Sequence, residues 1–232
     1  GGTAPLFSTV LMLALPAKIA GCEDIILCTP TNKQGRVAAE VLYAARRCGV
    51  TKVFKAGGAQ AVAAMAYGTE SVPKVYKIFG PGNRYVTLAK QLVAGRNTSI
   101  DMPAGPSEVM VMADGSADAE FVAADMLSQA EHGRDSQAIV VCDSVAFAQQ
   151  VAAAGGRQMA VLSRADYVAE SLKNSRAVVF DSREQMIAFA NEYAAEHLII
   201  LMREPWIVAE QITAAGSVFI GNYSPERAGD YA

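Results

Sequence analysis

Short apolar runs alternate along the chain with longer stretches whose apolar positions recur at helical spacing. The runs predict strands at Asp24–Cys28, Lys52–Phe54, Val75–Phe79, Glu108–Ala113, Ala138–Cys142, Ala177–Phe180, Leu198–Leu201 and Ser217–Ile220. Between them the pattern predicts helices near Gln34–Cys48, Gln60–Tyr67, Asn83–Ala94, Asp118–His132, Val145–Ala153, Ala165–Ser175, Arg183–Ala195 and Pro205–Ala214. Alternation of this kind means βαβ units and a mostly parallel sheet. The strands are rich in Val and Ile and apolar throughout, which fits a sheet covered on both faces. Pro103, Gly105 and Pro106 break the pattern within Met102–Ser107, so the fold class expected is α/β in two lobes, residues 1–106 and 107–232. Ala4–Ala17 is apolar except for Ser8 and Thr9. It is too short to span a bilayer, lacks a basic leader and is closed by Lys18, so it is expected to be a buried helix.

Composition sharpens this picture. Among 232 residues 52% are hydrophobic and 19% charged, enough for a sizeable core and unlike a disordered chain. Twenty basic residues are scattered among 23 acidic ones, which excludes a basic nucleic-acid face. Cys22, Cys28, Cys48 and Cys142 form no C-x-x-C pair. Cys28 and Cys142 lie in apolar runs, where a thiol behaves as a small hydrophobe, and a reduced, cytoplasmic protein is expected. The chain opens at Gly1 without Met and stops at Ala232 outside any predicted element, so it reads as a piece of a longer protein.

The candidate chemistry is sparse. The two histidines each follow a glutamate, as Glu131-His132 and Glu196-His197. Gln129 and His132, three apart on a predicted helix, share a face and could ligate one metal; imidazole nitrogen suits zinc and an oxygen donor completes a mixed site. Asp125, one turn earlier, is a further ligand or a partner of the ligands. The same pair also suits a helix cap or a surface contact. Simple topology puts His132, at a helix end, on the strand-start side of the sheet, whereas ligands in parallel α/β folds bind beyond the strands' carboxyl ends. Glu196 and His197 could act as acid and base in one pocket, but only if the turn there is irregular, because neighbours on a strand point oppositely; otherwise they are a polar surface dipeptide. Gly57-Gly58 and Gly80-Pro81-Gly82 each stand between a predicted strand and a predicted helix, a geometry that offers amides to phosphate. Neither gives G-x-G-x-x-G, since Tyr85 stands where a third glycine belongs, and turns need glycine for their own sake.

Taken in order, several longer motifs resemble histidinol dehydrogenases. They are Gly1-Gly2-Thr3-Ala4-Pro5-Leu6-Phe7-Ser8-Thr9, Gly57-Gly58-Ala59-Gln60-Ala61, Phe79-Gly80-Pro81-Gly82-Asn83, and Asp101-Met102-Pro103-Ala104-Gly105-Pro106-Ser107-Glu108. Ser128-Gln129-Ala130-Glu131-His132-Gly133, Glu196-His197-Leu198 and Ser224-Pro225-Glu226-Arg227-Ala228-Gly229-Asp230-Tyr231 follow. The resemblance runs from end to end. It implies two incomplete Rossmann-like lobes, the first (1–106) binding NAD and the second (107–232) holding zinc and the catalytic groups. It implies Gln129, His132 and Asp230 as zinc ligands and Glu196 and His197 as the acid–base pair. Ser107 is implied as a substrate contact beside Gln129, His132, His197 and Asp230, and Gln60 and Asn83 as NAD contacts.

The implied reaction is oxidation of L-histidinol through the aldehyde to L-histidine in histidine biosynthesis, with two NAD consumed. The resemblance also implies a homodimer that shares its active site, and missing leading and trailing segments, the latter carrying a further zinc-binding histidine. On that reading the 232 residues alone are inactive and self-associate. Two other readings are open: a dehydrogenase of another amino alcohol, and a non-catalytic α/β module that binds a small ligand.

Overall fold

Residues 6–96, 98–102, 108–226 and 229 are described by a computed structural model. The chain forms two compact units, Gly1–Gly105 and Pro106–Ala232. It is an α/β protein in which every strand pairing is parallel.

The first unit carries α1 (Phe7–Ile19), β1 (Ile26–Cys28), α2 (Ala39–Arg47), β2 (Lys52–Phe54), α3 (Gly58–Tyr67), β3 (Lys77–Ile78), α4 (Arg84–Ala94) and β4 (Ser99–Ile100). β1 pairs with β2 and β3 with β4, as two separate two-stranded sheets. An apolar cavity of about 630 Å³ lies between β1, β3 and α1. The helix expected within Ala4–Ala17 forms, but it is not buried: among its residues only Val10 and Ala14 are, and Leu15 and Ile19 face solvent. Hydrophobic composition made the helix, yet burial needs a partner, and its main one is α2. The helix expected from Gln34 starts only at Ala39, because Asn32 Oδ1 accepts from the amides of Gln34 and Arg36 and Gly35 turns with φ +69°.

The turn at Gly80 is pinned from two sides. Asp101 Oδ2 accepts from the Gly80 amide at 2.8 Å, the buried Lys90 ammonium donates to the Gly80 carbonyl at 2.9 Å, and Lys90 and Asp101 form an ion pair. Gly82 cannot carry a side chain there, since a Cβ would stand 2.5 Å from Val86.

The second unit runs β5 (Glu108–Ala113), α5 (Ala119–Ala130), β6 (Gln137–Cys142), α6 (Val145–Met159), α7 (Ala165–Leu172), β7 (Arg176–Val179), α8 (Arg183–Tyr193), β8 (His197–Leu201), α9 (Pro205–Ala209) and β9 (Ser217–Ile220). Its strands form one sheet in the order β7-β6-β5-β8-β9, with β5 central. Alternation sorts the side chains of β5 and β8 to two faces. Val109, Val111, Ala113, Ile199 and Leu201 pack with α5 and α6 residues such as Val122, Phe147 and Val151. Met110, Met112, Leu198 and Ile200 pack with Met186, Ile187 and Ala190 of α8 and Val208 of α9. The continuous apolar runs are thus strands buried on both faces. Each such fully buried aliphatic side chain contributes roughly 1.5–3 kcal/mol, which holds the starts of the central strands in fixed positions. Cys142 is buried in this sheet and Cys28 half-buried in β1; burial pushes both thiols above their ordinary pKa, as suits packing groups rather than nucleophiles.

Lys90→Met strips Asp101 of its cation and the Gly80 carbonyl of a donor. Urea unfolding should show a loss of about 3 kcal/mol, the low end for a broken buried pair because Asp101 keeps some solvent. Lys90→Met/Asp101→Asn should recover part of it. Unchanged stability in the single variant would mean that the pair contributes nothing net.

Candidate active site

The first residues of the central strands carry polar groups where the apolar runs begin. Glu108 opens β5, Gln137 opens β6, His197 opens β8 and Ser217 opens β9, and the register places Val109 opposite His197 and His197 opposite Ser217. α5 runs back antiparallel to the strands, so its last turn, with Gln129 and then His132, reaches this same strand-start side. The cluster therefore lies at the end of the sheet opposite to that favoured by ligands in open parallel α/β folds.

Three features prepare the turn into β8. Ala194 caps α8 in the left-handed region (φ 56°, ψ 54°), reversing the chain within three residues. Glu196 N donates to Glu108 Oε1 at 3.3 Å, and Glu108 N donates to Glu196 Oε2 at 3.4 Å. Gly216 passes so close that a Cβ would stand 2.6 Å from the Glu196 carbonyl oxygen. This irregular entry lets two neighbouring side chains share a site. Glu196 Oε2 lies 3.8 Å from His197 Nδ1, although His197 belongs to the α5 face and Glu196 precedes the strand. His197 is three-quarters buried; its Nδ1 is 3.3 Å from the Glu108 carbonyl oxygen, its Nε2 is 4.0 Å from Glu226 Oε1, and its ring stacks on Phe219 with centroids 6.2 Å apart.

On the α5 face, Gln129 is fully buried, and neither its Oε1 nor its Nε2 has a hydrogen-bond partner among the described residues. His132 sits just past the helix, exposed, its amide donating to the Gln129 carbonyl at 3.1 Å. One turn before Gln129 comes Asp125, and one turn before that Phe121, all on one helical stripe. The segment after β9 follows this stripe in the same direction. Tyr223 meets Phe121 edge-on at 5.9 Å, and Glu226 lies near enough to Asp125 to perturb it. Gly229 then packs against Phe219, where a Cβ would stand 3.0 Å from the ring. Burial first, and the Glu226 carboxylate second, push Asp125 up to about 6.

The second unit thus brings Glu196 and His197 together, and Gln129 and His132 onto one helical turn. Ser107 and Asp230 lie outside the described residues. In the first unit, Gln60 stands in the first turn of α3 and its amide group folds over Gly58, which has φ +73°. Asn83 is the N-cap of α4, where Oδ1 accepts from the amides of Tyr85 and Val86 at 3.1 and 3.2 Å. That cap, with the Gly80 amide engaged by Asp101, leaves the Gly80-Pro81-Gly82 turn little to offer a phosphate. Gly57 caps α3 without a side-chain hydrogen bond, so the α3 N-terminus is the more open of the two. Glu108, Tyr193 and Glu226 adjoin the pair but have no role in the sequence reading, although Glu108 and Glu226 stand within the motifs that carry the resemblance. Among the described residues no three His, Cys, Asp or Glu side chains gather as a metal cage; the pair noted above includes a glutamine. No helix among them is long and apolar enough to cross a membrane.

A family model described as histidinol dehydrogenase matches residues 1–232. A histidinol dehydrogenase of Bacteroides fragilis (strain YCH46) is 61% identical over 232 residues, covering 100% of this chain and 54% of that relative. One of Yersinia pestis is 56% identical over 234 residues, covering 100% of this chain and 52% of that relative. The crystal structure of histidinol dehydrogenase from Elizabethkingia anophelis matches with a TM-score of 0.94 at 52% identity, over 100% of this chain and 54% of that one. The chain spans about half the length of these relatives.

The raised Asp125 sets a pH dependence. As pH rises the unfolded chain ionises this carboxyl first, near 4, so stability that is complete below that pH is lost as pH climbs through about 6. In chelator-treated protein, urea unfolding should show the wild type losing about 1–2 kcal/mol relative to Asp125→Asn between those limits, a figure reduced for partial solvent screening. Parallel profiles would contradict the burial assigned to Asp125.

Proposed function

The chain belongs to the histidinol dehydrogenase family, and from that premise we propose that it is the central part of an enzyme that oxidises L-histidinol to L-histidine with NAD and zinc. The observation that carries the reading is the Gln129 side chain, buried with both amide atoms unpartnered among the described residues. Such a group costs roughly 1–3 kcal/mol for each unmet hydrogen bond, and a folded chain retains it where something else satisfies it. A cation does so. Gln129 Oε1 supplies an oxygen donor and His132 an imidazole, and the negative end of the α5 dipole favours positive charge there. Asp230, which lies outside the described residues, joins them as third ligand on the resemblance of its motif alone.

Bound there, zinc would anchor the substrate's imidazole and amine and so orient the carbinol carbon, an effect worth up to ~7–11 kcal/mol of barrier. His197 is the base for the alcohol proton. Its Nδ1 faces the Glu108 carbonyl, which leaves Nε2 as the open nitrogen. Glu196, half-exposed beside it, is placed to draw a proton from the water that adds to the aldehyde. NAD as acceptor rests on family membership, with the α3 N-terminus and Gln60 as the better fitting contacts and Asn83 already committed to its cap. Ser107 as a substrate contact, a homodimer sharing its sites, and a cytoplasmic location rest on the same membership. The 232 residues alone are then poor catalysts, because the relatives are about twice as long.

Gln129→Leu removes the unpartnered amide without changing the side chain's bulk much. Metal-free, the variant should be at least as stable as wild type, by up to ~1 kcal/mol or more; its zinc affinity should fall by about 100-fold, read by competition with a chromogenic chelator. Unaltered zinc affinity would sink the metal assignment. In the full-length protein, Glu196→Gln should slow aldehyde oxidation by at least ~10-fold more than alcohol oxidation; equal loss in both steps would contradict the division of labour.

A further inference from the structure

Glu108 uses both its main chain and its side chain on the residues that open β8. Its carbonyl oxygen meets His197 Nδ1 at 3.3 Å, its amide donates to Glu196 Oε2 at 3.4 Å, and its Oε1 accepts from Glu196 N at 3.3 Å. The remaining oxygen, Oε2, accepts from the Tyr193 hydroxyl at 2.9 Å. Tyr193 is the last residue of α8, directly before the left-handed Ala194, and its ring closes the row Phe180–Phe189–Tyr193 against the sheet. Its hydroxyl also lies 3.0 Å from Gln137 Oε1, and the Gln137 amide is itself oriented by donating to the Asn174 carbonyl at 3.2 Å. The clamp therefore ties the ends of α8, β5, β6 and β8 together at one point.

We propose that Glu108, held by Tyr193, is the positioning residue of the Glu196–His197 pair: it fixes the Glu196 backbone and keeps the proton of neutral His197 on Nδ1. A main-chain carbonyl can only accept, so its contact with Nδ1 is attractive only when that nitrogen bears hydrogen. Nε2 is then left bare on the side facing Glu226. The Glu108 carboxylate does no proton transfer in this arrangement. Its two oxygens are occupied by the Glu196 amide and the Tyr193 hydroxyl, so its role is geometric, and glutamine can fill it: Oε1 still accepts from Glu196 N, and Nε2 donates to the tyrosine oxygen, whose own proton then serves Gln137 Oε1.

The catalytic half of this inference rests on the acid–base reading of Glu196 and His197, but the tautomer does not. The chain has two histidines, so ¹⁵N-histidine labelling gives two imidazoles, and His197→Gln identifies the one of interest. In mildly alkaline, metal-free solution its Nδ1 should show the protonated, pyrrole-like signal and its Nε2 the bare, pyridine-like one. Glu108→Gln should keep that pattern and Glu108→Ala should mix the two tautomers. In the full-length protein, Glu108→Ala should lower kcat by ~10–100-fold, the scale of a misplaced catalytic group, with KM within about twofold, and Glu108→Gln should restore most of it. Tyr193→Phe, which keeps the ring, should fall between.

A wild-type His197 protonated on Nε2 overturns the proposal even if the alanine variant fails to fold. So does a glutamine variant as impaired as alanine, since that assigns the carboxylate a proton rather than a place. Absence of histidinol oxidation in the wild-type full-length protein, with the Nδ1–H tautomer intact and lost in Glu108→Ala, would refute the enzymatic reading and leave the positioning role standing.

Discussion

A buried amide without a hydrogen-bond partner among the described residues is the constraint around which the second unit is read. Gln129 is the last residue but one of a helix whose other buried residues are apolar. On the proposed function, the Gln129 oxygen is the atom a cation would take up, while its Nε2 hydrogens need an acceptor. Asp125 stands one turn earlier on the same stripe, partly dehydrated and near a second carboxylate, Glu226.

The rigidity that the site requires comes from the sheet. β5, β6 and β8 are buried on both faces, and the polar residues that matter are the first of their strands, where the apolar run stops. Side chains on β5 and β8 alternate between the α5 and α8 faces, which would separate Glu196 from His197. The left-handed Ala194 and the close approach of Gly216 bend the chain so that both remain in reach of one another. Glu108 spans the two faces by using its main chain on one and its side chain on the other. The geometry of the Glu196–His197 pair is therefore set by backbone conformation and sheet register, and less by the side chains themselves.

What the sequence disclosed follows from how local each signal is. Glu108–Ala113, Lys52–Phe54 and Ser217–Ile220 match observed strands to the residue, bounded by polar or turn residues. β4, two residues long, has no run to detect. α6 was expected to stop at Ala153 but continues through Gly155-Gly156, where Ala154 is fully buried and Gly155 lets the helix approach Ala123 of α5; a glycine pair that reads as a breaker serves helix packing instead. Gln129, His132 and Asp125 were legible because helical spacing joins them. Glu108 and Tyr193 were not, since their contact bridges 85 positions and each looks ordinary among its neighbours. Asn83 caps α4, a local task that its place behind a glycine turn also allows.

X-ray absorption at the zinc edge on the zinc-loaded chain bears most directly on the idea that Gln129 and His132 grip one ion. The account predicts a first shell of oxygen and nitrogen only, at ~2.0–2.1 Å, with the outer-shell signature of a single protein imidazole that vanishes in His132→Ala. A sulfur shell near ~2.3 Å, or a spectrum unmoved by the loss of His132, would contradict it.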